Sequence, residues 1–276
     1  MERISSRQNA LVKRFRQVAG GGPAGEWMLL DGEHLVTEAL AAGLEVDVLA
    51  ITERLLDGRL ASVATDLDRR GTRVVVVTDQ VLDAISPVRE PSGVAAIAAR
   101  PSTPLAQALG GAQPALVLIL NEIQDPGNVG AIVRAAEGCG ATAVVATAGT
   151  ADPFGWKALR GGMGSTFRLP IATGPSLDAA VAGARSAGLR VIATRAADGT
   201  PLPACDLRAG CAILLGAEGP GLPAQVLDAA DERLTIPMRP PVESLNVAVS
   251  AALILYEATR QRRGVTRLAR GTNVAV

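Results

Sequence analysis

Along the first hundred residues, short apolar runs alternate with amphipathic stretches. Strands are predicted at EWMLLD (26–31), VDVLAIT (46–52), RVVVVT (73–78) and GVAAIAA (93–99). Helical spacing runs from Asn9 to Ala19 and through GEHLVTEALAAG (32–43), GRLASVATDLDRRG (58–71) and QVLDAIS (80–86). Such alternation predicts a sheet with helices packed on it. PSTPLAQALGGAQP (101–114) has the Pro, Gly and small-residue content of a linker, though LAQAL could form a helical turn. The pattern then resumes, with strands at ALVLIL (115–120), TAVVAT (142–147), TFRLPI (166–171), LRVIAT (189–194), CAILLG (211–216) and ERLTIP (232–237). Helices are expected at 129–138, 154–161, 176–188, 223–230 and 244–263. Two α/β domains are therefore expected, 1–100 and 115–276, joined by 101–114.

Two helices of the second domain stand out. In the one following Asp125-Pro126-Gly127-Asn128, positions Val129, Ile132, Val133 and Ala136 share one buried face. Arg134 lies off that face, and Gly130, one turn earlier, has no side chain to cover it. The plain structural reading of Arg134 is an i, i+3 pair with Glu137, worth a few tenths of a kcal/mol. The last helix is apolar nearly all round (Leu245, Val247, Val249, Leu253, Ile254, Leu255, Tyr256), which fits either an internal core or a subunit interface.

Composition narrows the class. Of 276 residues 48% are hydrophobic but only 2% aromatic, so both cores must be built from Val, Leu, Ile and Ala. No apolar run is long enough for a spanning helix, and MERISSRQNALVKRFRQV lacks the apolar region of a secretory signal. Cys139, Cys205 and Cys211 are odd in number and without CxxC spacing, which favours a reducing cytoplasm over a disulfide framework. With His34 the sole histidine, no metal site is expected, and His34 reads as a structural or surface residue.

The net charge of zero hides an uneven distribution. Residues 1–18 carry Arg3, Arg7, Lys13, Arg14 and Arg16 against Glu2, and residues 260–276 carry Arg260, Arg262, Arg263, Arg267 and Arg270 with no acid. Basic ends on an acidic body suit contact with a polyanion, or else only solubilise chain ends.

Candidate chemistry follows by elimination. Neither lysine closes a GxxxxGK[ST] loop, and no GxGxxG follows the first strand of either domain. Three polar, Gly/Pro-shaped clusters remain, each at the C-terminal end of a predicted strand of the second domain. They are NEIQDPGNVGAIVRAAE (121–137), LLGAEGPGLP (214–223) and IPMRPPVESLNVAVS (236–250). Glycines 216, 219 and 221 permit close approach of main chain to a ligand, although an elaborate turn needs them equally. Glu243 or Ser244 could serve as a helix cap. Convergence of three such loops on one sheet edge favours a ligand site, because open α/β sheets bind ligands outside their strand carboxyl ends.

In this order the motifs N-x-x-x-D-P-G-N-x-G-x-I-x-R, L-x-G-x-E-G-x-G-L and I-P-M-x(5)-S-L-N-V resemble the SpoU/TrmH group of the SPOUT RNA methyltransferases, over about Leu116 to Arg262. DGEHLVTEAL (31–40) is similar to the opening of the RNA substrate-binding domain that many of these enzymes carry. Ala217 stands where Asn is common, and Pro240-Pro241 where a Gly is frequent. The resemblance implies an α/β fold: a C-terminal parallel sheet with a deep trefoil knot, plus a smaller N-terminal α/β RNA-binding domain. It implies 2′-O-methylation of a ribose with S-adenosyl-L-methionine as cofactor, by a homodimer. Its implied catalytic residues are Arg134, Asn128, Ser244, Asn246 and Glu218, with Glu218 bracing its loop. Thr194, Leu215, Gly216, Gly221, Ile236, Met238, Ser244 and Leu245 would hold the cofactor, and Arg3, Arg7, Lys13, Arg14 and Arg16 the RNA. A guanidinium keeps its proton, so Arg134 suits clamping a phosphate better than acting as a base. Large-subunit ribosomal RNA ranks first as substrate, in enzymes that include antibiotic-resistance determinants, and tRNA second. A non-catalytic RNA-binding or ribosome-assembly protein is the alternative.

Overall fold

The computed structural model describes residues 1–21, 25–56, 58 and 60–263. They divide into two compact units, one formed by Met1–Ser102 with Asp152–Arg168, the other by Thr103–Ala151 with Leu169 onward.

The first unit runs β1 (Glu2–Ile4), α1 (Ala10–Ala19), β2 (Trp27–Asp31), α2 (Glu33–Ala41), β3 (Val46–Thr52), α3 (Glu53–Leu56), α4 (Leu60–Arg69), β4 (Arg73–Val77), α5 (Asp79–Ile85) and β5 (Val94–Ala99). Its sheet order is β1-β4-β3-β5-β2, with β1, β4 and β3 parallel and β5 antiparallel to both its neighbours. The edge strand β1 has too few residues for periodicity to reveal, yet Ile4 enters the core beside Phe15, Leu29, Val75 and Ile97. Each such fully buried aliphatic side chain contributes about 1.5–3 kcal/mol.

The second unit opens with α6 (Leu105–Leu109), the helical turn that LAQAL allowed within the expected linker. Leu105, Ala108 and Leu109 share one helical face, and the last two are buried in the second core. The chain continues through β6 (Leu116–Leu120), α7 (Pro126–Gly138) and β7 (Ala143–Ala146), then crosses to the first unit for α8 (Trp156–Gly162). It returns for β8 (Ile171–Thr173), α9 (Leu177–Ser186), β9 (Arg190–Thr194), β10 (Thr200–Pro201), β11 (Cys211–Leu215), α10 (Ala224–Ala229), β12 (Glu232–Thr235) and α11 (Val247–Arg263). The strand expected at 166–171 is shorter and later: Ser165–Phe167 forms a 3-10 turn, and pairing starts past Pro170, which has no N–H to donate.

All neighbours in the seven-stranded sheet, β10-β12-β9-β11-β6-β7-β8, are parallel. Every residue of β6 and β11 is buried, as a central parallel strand covered on both faces requires. From β6 the chain order proceeds through β7 and β8 on one side, while β11 and β9 lie on the other. The β6–β11 boundary is therefore a switch point, where a crevice opens outside the strand ends.

The excursion to the first unit is anchored by polar and aromatic contacts. Arg100 donates to Asp152 at 3.0 Å and lies 4.5 Å from the Phe154 ring centroid. Trp156 packs against the first core, and Arg168 pairs with Glu38. Sequence periodicity places this segment in the second domain because nothing local marks the crossing.

Candidate active site

The loop after β6 and the start of α7 are shaped by Asp125. Its Oδ1 accepts from the N–H groups of Gly127 (2.6 Å) and Asn128 (3.3 Å), and Pro126 fills the first helical position, where no N–H is needed. A Cβ on Gly127 would lie 2.9 Å from that same Oδ1, so the cap and the glycine come together. The predicted apolar face of α7 is buried.

The glycine loop after β11 folds back on itself. The N–H of Gly221 donates to Ala217 O at 3.0 Å, and Gly219 and Gly221 have φ of +97° and +71°. A Cβ on Gly216 would stand 2.4 Å from Gly221 main chain, which cannot yield. Asn121 N–H donates to Leu215 O at 2.9 Å, and the Thr194 hydroxyl to Leu214 O at 2.8 Å, joining the strand ends after β6, β9 and β11.

One hydrogen-bonded chain links the three motifs. Asn246 Oδ1 caps α11, accepting from Ala248 N–H (2.9 Å) and Val249 N–H (3.3 Å). Asn246 Nδ2 donates to Asn128 Oδ1 at 3.0 Å, and Asn128 Nδ2 donates to Glu218 Oε1. The cap therefore belongs to Asn246 and not to Glu243 or Ser244. Its two ends fix the orientation of both amides, since an N–H pair can meet only an oxygen and a carboxylate only an N–H.

Beside this chain lies a cavity of ≈ 650 Å³. Thr194, Leu215, Gly216, Gly221, Ile236, Met238, Ser244 and Leu245 all line it, as do Glu218 and Asn246. The motifs did not point to Arg195 or to the apolar walls Leu222, Leu234, Val247 and Ile254, which also line it. Position 195 directly follows β9, and that placement was the available signal. Main-chain atoms of Met238 make no hydrogen bond among the described residues, leaving donor and acceptor open in the lining.

Asn128 and Arg134 are not in that lining. Arg134 is exposed on the flank of α7 and has no hydrogen-bond or ion-pair partner among the described residues. The pair with Glu137 is thus not formed. Gly130 is itself buried on the packed face and does not open room beside Arg134.

The basic residues at the start of the chain serve the first unit's own structure. Arg3 pairs with Glu53, Arg7 Nε donates to Gln80 O at 3.0 Å, and Arg16 Nε to Ala84 O at 2.7 Å. Arg14 pairs with Asp47 at 2.5 Å over the Trp27 ring, while Lys13 is exposed without a partner among the described residues. At the other end Arg260 pairs with Glu257, and Arg262 is absorbed by main-chain carbonyls. The side chain of Arg263, and Arg267 and Arg270, lie outside the described residues.

Other chemistries find little footing. Burial first, then Glu232, pushes the Cys205 thiol up to about 12, so it is no nucleophile. The ring of His34 sits in the first unit, its Nε2 3.4 Å from Met163 O. Among the described residues no cluster of three His, Cys, Asp or Glu could hold a metal, and no helix is long and apolar enough to cross a membrane.

Comparison with known proteins agrees with this geometry. The family described as SpoU rRNA Methylase matches residues 115–256, and that described as RNA 2′-O ribose methyltransferase substrate binding matches residues 29–104. The chain is 32% identical over 259 residues to the 23S rRNA (guanosine(2553)-2′-O)-methyltransferase RlmP of Bacillus subtilis, covering 93% of this chain and 98% of that one. The crystal structure of an AdoMet-bound rRNA methyltransferase from Sinorhizobium meliloti superposes with a TM-score of 0.84 at 28% identity, over 94% of this chain and 97% of that one. The SpoU methyltransferase AviRb from Streptomyces viridochromogenes, in complex with AdoMet, gives 0.79 at 26% identity, over 92% and 98%. The chain, with its three motifs meeting at the switch point of a parallel sheet, belongs to the SpoU family of RNA methyltransferases.

Proposed function

We propose that this protein transfers a methyl group from S-adenosyl-L-methionine to a ribose 2′-hydroxyl of large-subunit ribosomal RNA in the cytoplasm. The observation that carries the reading is the Glu218–Asn128–Asn246 chain beside the cavity, because it ties all three motifs to one place. The cavity suits the cofactor chemically. Leu222, Leu234, Ile236 and Met238 offer apolar walls to a flat adenine, and open main-chain groups such as those of Met238 can read its edge. Thr194, Leu215, Gly216, Gly221, Ser244 and Leu245 complete the cradle. When bound, the cofactor supplies a sulfonium methyl, an activated electrophile.

Arg134 presents five unpaired donors, which suits bidentate capture of an RNA phosphate that aligns the 2′-oxygen. Residues 1–100 supply the RNA platform, with Lys13 exposed and Arg3, Arg7, Arg14 and Arg16 held by their own partners. A homodimer is supported by α11. Ala251, Ile254, Leu255 and Ala258 are buried, yet the stripe of Leu245, Val249, Leu253 and Tyr256 stays exposed, Tyr256 by 67%. A second copy would cover that stripe, and a knotted path for the last strands completes the proposed fold.

The test is incubation with labelled cofactor and separated ribosomal RNA and tRNA, followed by mapping of the methylated ribose. Label on the large-subunit RNA supports the proposal. Label confined to tRNA overturns the substrate. Tight RNA binding without any methyl transfer favours a non-catalytic RNA-binding protein.

A further inference from the structure

The reaction must dispose of the 2′-hydroxyl proton, and the site holds few groups able to take it. Arg134 has no acceptor atom. Both amide oxygens of the chain are engaged, Asn246 Oδ1 by two helix N–H groups and Asn128 Oδ1 by Asn246. Amide oxygens are in any case too weakly basic to keep a proton at neutral pH. The hydroxyls of Thr194, Ser244 and Ser250 line the cavity, but a hydroxyl can only relay. Among the described residues lining the cavity, Glu218 is the only carboxylate. Its Oε1 accepts from Asn128, and its Oε2 has no partner among the described residues.

We propose that Glu218 is the general base of the reaction, taking the 2′-hydroxyl proton on Oε2. This rests on the methyltransferase reading above and adds the proton acceptor to it. The ribose O–H bond breaks toward Oε2 as the oxygen lone pair forms the C–O bond to the sulfonium methyl. The electron pair of the broken S–C bond stays on sulfur. The products are a 2′-O-methyl ribose, a neutral thioether and a protonated Glu218, which gives its proton to water when the products leave. One anion and one cation are consumed together, a change that a cavity with apolar walls favours. The directed chain has a defined part: N–H groups of α11 orient Asn246, which orients Asn128, which fixes Oε1 and so aims Oε2. Asn128 and Asn246 are on this account positioning residues.

Glu218→Gln tests the assignment, because its amide oxygen can still accept from Asn128. The expected result is a single-turnover rate lowered about 100- to 10,000-fold, with affinities for S-adenosylhomocysteine and RNA and the thermal midpoint unchanged. Glu218→Asp, which keeps a carboxylate on a shorter stem, should recover part of the rate lost in Glu218→Gln. A Glu218→Gln protein within about threefold of the parent rate overturns the proposal, as does a rate loss that only tracks lost cofactor or RNA affinity, which would mark a loop brace. A parent protein that binds S-adenosylhomocysteine and RNA but transfers no methyl group overturns the reading beneath it instead.

Discussion

Two arginines of the second unit carry the same charge in opposite circumstances. Arg262, in the last turn of α11, donates to four carbonyls: Pro114 O (2.7 Å), Leu207 O (2.8 Å), Ala209 O (2.8 Å) and Ala115 O (3.0 Å). Its planar fork closes the edge where β6 and β11 begin, and four of its five donors are spent on main chain. Arg134, on the flank of α7, has all five donors open toward solvent. Sequence composition counts the two alike, and by charge alone Arg262 belonged to a basic, polyanion-seeking end. Hydrogen-bond saturation separates them: a satisfied guanidinium is scaffold, and an unsatisfied one on a site-bearing helix is available for substrate.

The sharpest test of this contrast is Arg134→Ala. It should lower methyl transfer about 100- to 1,000-fold while leaving the thermal midpoint in place, because the side chain has no partner to lose. Arg134→Lys should recover only part of the rate, since an ammonium cannot form the two-pronged contact. A parent-like rate in Arg134→Ala would erase the distinction between the two arginines.

Arg262→Ala should do the reverse. With the carbonyls of Pro114, Leu207 and Ala209 deprived of their donor, and Ala115 O left with Cys211 N–H alone, stability should fall by about 2–3 kcal/mol. That corresponds to roughly 5–10 °C in the thermal midpoint for a chain of this size, measurable by calorimetry. Methyl transfer per folded molecule at low temperature should persist, and an inactive but stable protein would contradict the scaffold role.

A smaller effect is expected at the opposite end of α11. Asn246→Asp keeps an acceptor for the helix N–H groups but sets an oxygen against Asn128 Oδ1. Stability should hold, favoured by a negative charge at a helix N-terminus, while the rate drops about 10- to 100-fold. Equal losses in midpoint and rate would show that the residue is only a cap.

The least effect belongs to Arg260. Hydrogen bonds from Arg260 (2.7 Å), then from Gln261 (2.8 Å), hold the Glu257 carboxyl down to about 2, against an ordinary 4.5. A depressed carboxyl stabilises the fold above its unfolded value, and the contribution fades as pH falls from 4.5 through about 2. Arg260→Ala should move the Glu257 titration upward, as NMR can follow, with little change in midpoint at neutral pH because the pair is solvent-screened.

The strands of the second sheet were legible because each is an all-apolar run bounded by turn residues. The loops around the cavity were legible as Gly- and Pro-shaped clusters at strand ends, and the eight residues that the resemblance named all line it. Less visible was anything depending on distant partners. LAQAL was placed within a linker and allowed only as a helical turn, because five residues carry too little periodicity, and only the second core shows where Leu109 goes. The segment from Asp152 to Arg168 packs with the first unit through Arg100, Glu38 and the first core, contacts that no local pattern encodes. Gly130 was taken for open space because a missing side chain looks the same whether main chain or solvent lies beside it.

Local chemistry alone thus determined the αβ alternation, the buried face of α7 and the three motif loops, through whose residues the family resemblance could be seen. It did so because period, turn chemistry and capping act over a few residues. Only the tertiary structure decided which polar groups remain unsatisfied. It joined Asn246, 118 residues from Asn128 in the chain, to Glu218 through that amide, and it used up Arg262 while leaving Arg134 open. Hydrogen-bond partners are set by packing between distant segments, so the capacity that remains for substrate can be counted only after the chain has folded.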